Sequence, residues 1–410
     1  MKYDVIIVGG GISGLACARR LQQEGVNFAL LEASDEVGGR ARTDLVDGFR
    51  LDRGFQVFLT AYPEAKQVLD FDALDLKPFQ PGAIIRLRGR FFHFVDPWRK
   101  PGSALKSLLA PIGTVADKWR IAKLRRQVCK KTLAQIYESN DQSTEAYLRS
   151  FGFSEGMIDH FFRPFLGGVF LEKELQTSSR MFEFVFRMFS SGAATLPRLG
   201  MGELAKQMKA SFSDDQLLLN SPVQSIDGKN LTLTDGRKIQ AERIVLACEQ
   251  NRSNQMLGIE KKVESCGVTC IYFAASQPPL NEPILVLNGD EDGPINNLSV
   301  PSLVSPEYAP NGRHLISVSI VGNEQNRGDL EEAVRNQLSG WYGDQVKNWE
   351  TLRTYRIEQA LPTQVPPSLD PVEKPAEPEN GYFICGDHRN TASIHGAMVS
   401  GRRTAEAILA

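Results

Sequence analysis

The sequence predicts an α/β fold in which a Rossmann-like domain is interleaved with a second, α+β domain. Three stretches carry that prediction. YDVIIV at 3–8 runs straight into a glycine turn. LLLNSPVQSIDGKNLTLTDGRKIQAERIVLACE at 217–249 alternates apolar and polar residues before a buried run. GYFICGDHRNTASIHGAMVSGRRTAEAIL at 381–409 reads as strand, turn and helix.

The 410 residues, 42% of them hydrophobic, suffice for a large core, and about 100–200 residues per domain sets an expectation of two or three domains. Lys plus Arg number 47 against 49 for Asp plus Glu, so the overall charge gives no reason to expect a nucleic-acid partner. The six cysteines, at 17, 129, 248, 266, 270 and 385, lack the spacing of a disulfide framework or of paired metal ligands. That fits a reducing compartment, and a cytoplasmic location is expected. The apolar run from Tyr3 leads into the glycine loop rather than to a cleavage site, so no secretory signal is expected. No run of about 18 apolar residues marks a spanning helix.

YDVIIV is apolar and β-rich, as a strand buried on both faces of a parallel sheet should be. Gly9, Gly11 and Gly14 follow in G-x-G-x-x-G spacing. The first allows a tight turn, the second lets backbone approach a pyrophosphate, and the third lets the next helix, expected over 12–24, pack close to the sheet. The free N–H groups of that helix start, at Ile12 and Ser13, would face phosphates, and Gly9, Gly11 and Gly14 are expected to hold a pyrophosphate. A second strand, VNFALLE, ends in Glu32, 18 residues past Gly14, with Ala33 behind it. A carboxylate there accepts both hydroxyls of an adenosine ribose and repels a 2′-phosphate, which disfavours NADPH. The next stretch, ASDEVGGRARTD, brings Gly38 and Gly39, where bare backbone can pass under a large flat ring, and Arg40, which can neutralise pyrophosphate charge. These point to a flavin rather than a nicotinamide.

DVIIVGGGISGLACARRLQQEGVNFALLEASDEVGGRARTD, at 4–44, resembles the N-terminal signature of the flavin-containing amine oxidoreductase superfamily. That superfamily includes monoamine and polyamine oxidases, protoporphyrinogen oxidases and phytoene or carotenoid desaturases. The stretch at 381–409 is similar to its closing motif, and LPRLGMGELAKQM at 196–208 resembles it more faintly. The resemblance implies an FAD-dependent oxidoreductase with the amine oxidase, glutathione-reductase-like FAD fold. It also implies that Val223 contacts adenine through its backbone, and that the segment with Asp52 and Gly54 passes beside the flavin ring. Phe55 and Gln56 are then the candidates to face the ring; as strand residues they would instead be core. Independently of any family, Gly386 ends a strand where backbone can approach a ligand, and Asp387 offers a carboxylate to a ribityl hydroxyl. A helix over about 395–409 opens with Gly396 and Ala397, small enough for a ring to approach its positive dipole end.

Departures from the family bear on substrate. Ser393 stands where the amine oxidases carry a tyrosine of the cage that flanks the amine. Ala360, Leu361 and Pro362 stand where a second aromatic residue, or in some relatives a flavin-linking cysteine, would fall. A non-covalent FAD is therefore expected, with a large apolar substrate of the isoprenoid or tetrapyrrole kind, on the desaturase and protoporphyrinogen-oxidase side of the superfamily. An amine or amino-acid oxidase with a different cage, and an isoprenoid-binding carrier on the same fold, are the alternatives. His395 either reaches the flavin edge or bonds to backbone at the helix start. No Ser/His/Asp set, zinc spacing or acid pair is present, so no metal and no catalytic acid or base is assigned. The flavin does the hard chemistry of hydride removal, and the protein need only orient a C–H bond and exclude water. Oxygen and a quinone both fit as electron acceptor. HFFRPFLGGVFL at 160–171 and MFEFVFRMF at 181–189 either line an apolar tunnel or fill the core.

The two signatures lie at opposite ends of the chain, so the FAD-binding domain is expected to be discontinuous, from 1–55, 210–255 and 361–410. The substrate-binding domain is expected from 56–209 and 256–360, mainly helical over about 100–209. Strands are expected at 83–88, 91–95, 268–274, 284–287 and 314–321, and the Pro-rich 361–380 reads as a connection. Between Pro97 and Lys131 ten basic residues stand against one acid, Asp117, with Trp98, Leu105, Leu108, Leu109, Trp119 and Ile121 interleaved. This is either a solvated helix face or a surface for an anionic membrane.

Overall fold

The computed structural model describes residues 2–96, 99, 110–260, 262–322, 329–376 and 381–410. Two large sheets dominate it. In the first, Lys2–Val8 lies between Phe28–Leu31 and Lys238–Leu246, parallel to both. Leu217–Leu218 extends one edge, and the hairpin strands Asn230–Leu233 and Val223–Asp227 extend the other. Phe383–Ile384, from the far end of the chain, pairs in parallel with Val245 and Leu246. This is the expected Rossmann-like sheet with its meander.

Close backbone approach explains why glycine recurs where the first strand turns. Gly9 has φ +113°, and a Cβ there would stand 2.8 Å from the Ala247 carbonyl oxygen. A Cβ on Gly14 would stand 2.0 Å from the Gly9 carbonyl oxygen, so the helix Ile12–Gln23 seats on the turn only because that side chain is missing. The C-terminal helix, Ile394–Leu409, crosses this first helix equally closely: a Cβ on Gly401 would meet the Ser13 carbonyl oxygen at 2.1 Å.

The second sheet runs Glu350–Pro362, Ser265–Ala275, His314–Val321, Asn297–Ser299, Leu285–Asn288, Gly82–Leu87, Arg90–Val95. Its strands pair antiparallel except for Leu285–Asn288 with Gly82–Leu87. Two of these strands escape the sequence reading. Asn297–Ser299 is too short to show a period, and ETLRTYRIEQALP is an edge strand with no continuous apolar face. Helices fill most of 115–209, including Val115–Lys130, Arg163–Phe170 and Ser179–Ser191. Among the described residues no helix is long and apolar enough to cross a membrane. Of the basic stretch, Pro97, Trp98, Lys100, Leu105, Lys106, Leu108 and Leu109 lie outside the described residues.

A buried carboxylate ties the two halves together. Asp52, 3% exposed, ends the strand Phe49–Asp52. Its Oδ1 accepts from Thr43 Oγ1 at 2.5 Å and from the Met201 amide at 2.9 Å, and its Oδ2 accepts from Tyr308 Oη at 2.8 Å. Tyr272, from the strand Ser265–Ala275 next to the edge of the second sheet, donates to the Asp52 carbonyl at 2.9 Å. Burial raises the Asp52 pKa to about 6, although the Thr43, Met201 and Tyr308 bonds oppose it. Because this lies above the ordinary value of 3.8, the contribution of Asp52 to stability is complete below about pH 4 and is lost as pH rises through about 6. Asn at this position carries no charge, and the Tyr308 hydroxyl can turn from donor to acceptor to meet its amide. In urea melts Asp52→Asn should therefore gain on the wild type by up to about 2 kcal/mol between pH 4.5 and 7.5. An equal difference at both pH values would show that Asp52 ionises normally.

Candidate active site

One continuous cavity of about 1670 Å³ starts at the glycine turn and runs into the helical region. Pockets for one small molecule typically measure roughly 300–1,000 Å³, so this one has room for a dinucleotide and a second molecule.

At the turn, Gly9, Gly11, Ile12 and Ser13 line the cavity. Gly11 precedes the first helix and no side chain caps that helix, so its leading N–H groups are left for a ligand. A Cβ on Gly11 would point into open space, which leaves backbone accessible where a pyrophosphate would lie. Gly38 and Gly39, with φ +115° and +56°, fold over this turn, and the Gly38 amide donates to the Gly10 carbonyl at 2.8 Å. Glu32 and Ala33 form the adjoining wall. The Glu32 carboxylate is held by three donors: the Gly10 amide at 2.7 Å, the Ser34 amide at 2.9 Å and Ser34 Oγ at 2.7 Å. A carboxylate has about four acceptor sites, so capacity remains for a ribose hydroxyl. Val223 is beside it, its carbonyl taking a 2.9 Å bond from Arg252. Cys248 completes this end; burial pushes its thiol up to about 12, with Arg252 opposing, so it is a neutral wall group.

Farther in, Arg40 donates to Asp387 Oδ1 at 2.8 Å and to the Ala360 carbonyl at 2.6 Å. Burial works against its charge, but Asp387 outweighs it and the Arg40 pKa is raised. The expected pyrophosphate arginine is thus also a clamp on the expected ribityl carboxylate. Gly54, Phe55 and Gln56 line the same region in an irregular segment rather than a strand. Gln56 Nε2 donates to the Arg40 carbonyl at 2.8 Å, and Phe55 meets Phe79 edge-on at 6.1 Å. Gly386 and Ala397 also border the cavity, and the Gly386 amide donates to Ser400 Oγ at 3.1 Å.

Three expected positions sit elsewhere. Gly14 packs helix against turn and does not reach the cavity wall. Gly396 is likewise held off it: a Cβ there would meet the Thr391 carbonyl oxygen at 2.0 Å, and its amide donates to Ser393 Oγ, which caps the helix. His395 takes neither expected role. It is 4% exposed and packed against both Tyr62 and Phe184, at 5.8 and 5.5 Å, which stack on each other at 6.2 Å, and its Nδ1 has no hydrogen-bond partner among the described residues. Burial, with Arg402 nearby, lowers its pKa to about 4, so it is a neutral ring in an aromatic stack.

Beyond Arg40 and Asp387, the two aromatic helices divide by face. Phe161, Phe165, Val185, Phe186 and Phe189 line the cavity, whereas Phe162, Phe182 and Phe184 are fully buried behind them. Sequence reasoning missed the polar wall supplied by the edge strand. Tyr355 Oη donates to Asp44 Oδ2 at 2.7 Å, and Arg53 grips the same carboxylate at 3.0 and 3.1 Å. Burial alone would raise the Asp44 pKa; the Arg53 and Tyr355 bonds reverse this and lower it. No periodic signal marks these residues, because they meet only when the hairpin at 43–52 docks on the second sheet.

The cradle fits FAD: bare glycine backbone and an uncapped helix start for phosphates, and a braced carboxylate for the ribose. Glu32→Ala should weaken FAD retention about tenfold or more, read as yellow flavin released on ultrafiltration. Unchanged retention would place the ribose elsewhere.

Comparison with known proteins agrees. The profile of the flavin containing amine oxidoreductase family matches residues 12–409. Protoporphyrinogen oxidase 2, chloroplastic/mitochondrial, of Arabidopsis thaliana is 28% identical over 166 residues, 40% of this chain; the match spans only 32% of that relative's length. Coproporphyrinogen III oxidase of Propionibacterium freudenreichii subsp. freudenreichii is 22% identical over 419 aligned positions, covering 84% of this chain and 76% of that one. A solved structure of a redesigned putrescine oxidase superposes with a TM-score of 0.75 at 17% identity, over 100% of this chain and 99% of that chain, which shows a common fold. The chain belongs to the flavin-containing amine oxidoreductase family and is an FAD-dependent oxidoreductase.

Proposed function

We propose that this oxidoreductase removes hydride from a large, mainly apolar substrate of the tetrapyrrole or isoprenoid kind, with its FAD bound non-covalently. The observation that carries this reading is the continuity of the cavity from the glycine cradle into a chamber walled by Phe161, Phe165, Phe186 and Phe189. Bound FAD supplies the two-electron acceptor. The chain's own residues position and shield. Arg40 and Asp387 fix the ring end, Gln56 holds the Arg40 backbone, and the aromatic walls exclude water from a C–H bond brought to that end. Phe55, Gln56, Phe79 and Leu361 border this region, and none of them is an acid or base at neutral pH.

Two features argue against a small amine as substrate. Ser393 is spent on the helix cap and is too small to flank an amine, and Ala360 offers the cavity only a methyl group. The same Ala360–Leu361–Pro362 stretch has no cysteine for a covalent link to the flavin. The match to coproporphyrinogen III oxidase supports a tetrapyrrole.

The outer side of helix Val115–Lys130 supports contact with an anionic lipid surface as a route for such a substrate. Trp119 is 75% exposed there, and Lys123, Arg126 and Lys130 are exposed too.

Under anaerobic conditions one class from a panel of porphyrinogens, carotenoids, other polyprenoids and amines should bleach the oxidised-flavin absorbance. Bleaching by amines alone would replace this reading with amine oxidation. Co-sedimentation should be stronger with anionic than with neutral vesicles; equal binding would remove the membrane from the account.

A further inference from the structure

A buried carboxamide in the wall of the chamber has one end held by the protein and the other left over. Asn297, 3% exposed, lines the cavity from the strand Asn297–Ser299. It stands opposite Leu287 of the neighbouring strand, and cross-strand partners share a face of the sheet. Leu285 and Leu287 border the cavity on that face, whereas Val286 and Leu298 point the other way into a separate core. The Asn297 side chain is therefore directed toward the helix Arg163–Phe170, whose Phe165 and Gly168 line the same chamber. Asn296 decides which end of it faces which way. Asn296 Nδ2 donates to the Pro164 carbonyl at 3.0 Å and to Asn297 Oδ1 at 3.0 Å. An atom that donates to a carbonyl is an amide nitrogen, so the Asn297 atom beside it is the oxygen. Asn297 Nδ2 is then the end left over: it carries two N–H groups and has no hydrogen-bond partner among the described residues.

The facing helix is shaped around this pair of carboxamides. Gly167 and Gly168 sit inside RPFLGGVF without a positive φ, at positions where alanine would make the better helix. A Cβ on Gly167 would stand 3.3 Å from Asn296 Oδ1, and one on Gly168 would stand 3.0 Å from both Asn296 Nδ2 and Asn297 Oδ1. The glycines weaken the helix and give the two side chains their room. The result is a fixed donor beside Phe165, in a place where a buried N–H group without an acceptor is destabilising.

We propose that Asn297 determines substrate specificity in the chamber: its Nδ2 donates to a carbonyl oxygen carried on the substrate's apolar skeleton, which lies along Phe161, Phe165, Phe186 and Phe189. This narrows the substrate class within the apolar-substrate reading, to a carbonyl-bearing molecule, and rests on that reading. The carbonyl of a ketone, an ester or a carboxylic acid supplies the missing acceptor. A skeleton without oxygen covers the Asn297 N–H groups and leaves them unpaired, and a site built around a buried donor rejects the analogue that lacks its acceptor. Because the donor is neutral, the discrimination is insensitive to salt.

The test uses FAD-loaded, immobilised protein and two pairs of uncharged probes presented in detergent micelles: coproporphyrin III tetramethyl ester with octaethylporphyrin, and canthaxanthin with β-carotene. Within each pair only the first carries carbonyl groups. Binding is read from the absorbance of the probe retained. At least one carbonyl-bearing probe should bind about tenfold or more tighter than its partner, equally at low and high salt. Asn297→Leu should abolish that preference by weakening the carbonyl-bearing probe while its partner binds at least as tightly, a pattern that general loss of structure does not produce. If Asn297→Leu loses FAD, Gly168→Ala is read in its place: the added methyl group presses on Asn297 Oδ1 and should reduce the preference. Equal binding within both pairs, or a preference that survives the variant or fades with salt, overturns the assignment and leaves the apolar-substrate reading standing. Failure of all four probes to bind overturns both.

Discussion

Arg40 and Asp387 are 347 residues apart in the chain and 2.8 Å apart in space. This ion pair is the constraint on which the inner part of the cavity depends. One guanidinium holds the carboxylate of the closing segment and the Ala360 carbonyl of the edge strand, while the Arg40 carbonyl receives Gln56. The N-terminal sheet domain, the second sheet and the C-terminal segment therefore converge on one residue. Arginine suits the position because its planar fork serves several acceptors at once and stays charged when partly buried.

The pair can form only because backbones come close elsewhere. Gly401 lets the last helix press on the first, against Ser13, and Phe383–Ile384 joins the same sheet as Lys2–Val8. Asp52 does similar work between the halves of the molecule, gathering Thr43, Met201 and Tyr308 about one side chain. These ties set the distance between the glycine turn and the aromatic chamber, and hence that between a bound dinucleotide and whatever lies beside it.

Function follows from two walls of different chemistry meeting in one cavity. The cradle presents fixed dipoles and a braced carboxylate and contributes no mobile proton. The chamber presents aromatic faces and the buried carboxamide of Asn297. Helical periodicity makes this economical: the same two helices give Phe162 and Phe182 to the core and Phe161 and Phe186 to the cavity.

The sequence alone determined the Rossmann-like sheet, the cradle glycines, Glu32 and the return of the C-terminus, because those are local requirements. A sharp turn needs Gly9, a close helix needs Gly14, and a strand buried on both faces needs YDVIIV, wherever the rest of the chain goes. Tertiary structure alone decided that Arg40 clamps Asp387, that Tyr355 and Arg53 share Asp44, that Lys118 and Arg125 line the cavity while Trp119 faces out, and that His395 stacks in the core. It also settled the two readings of the aromatic helices, each true of one face. Contacts between residues hundreds of positions apart leave no period or spacing in the sequence, since they depend on which surfaces meet and how closely.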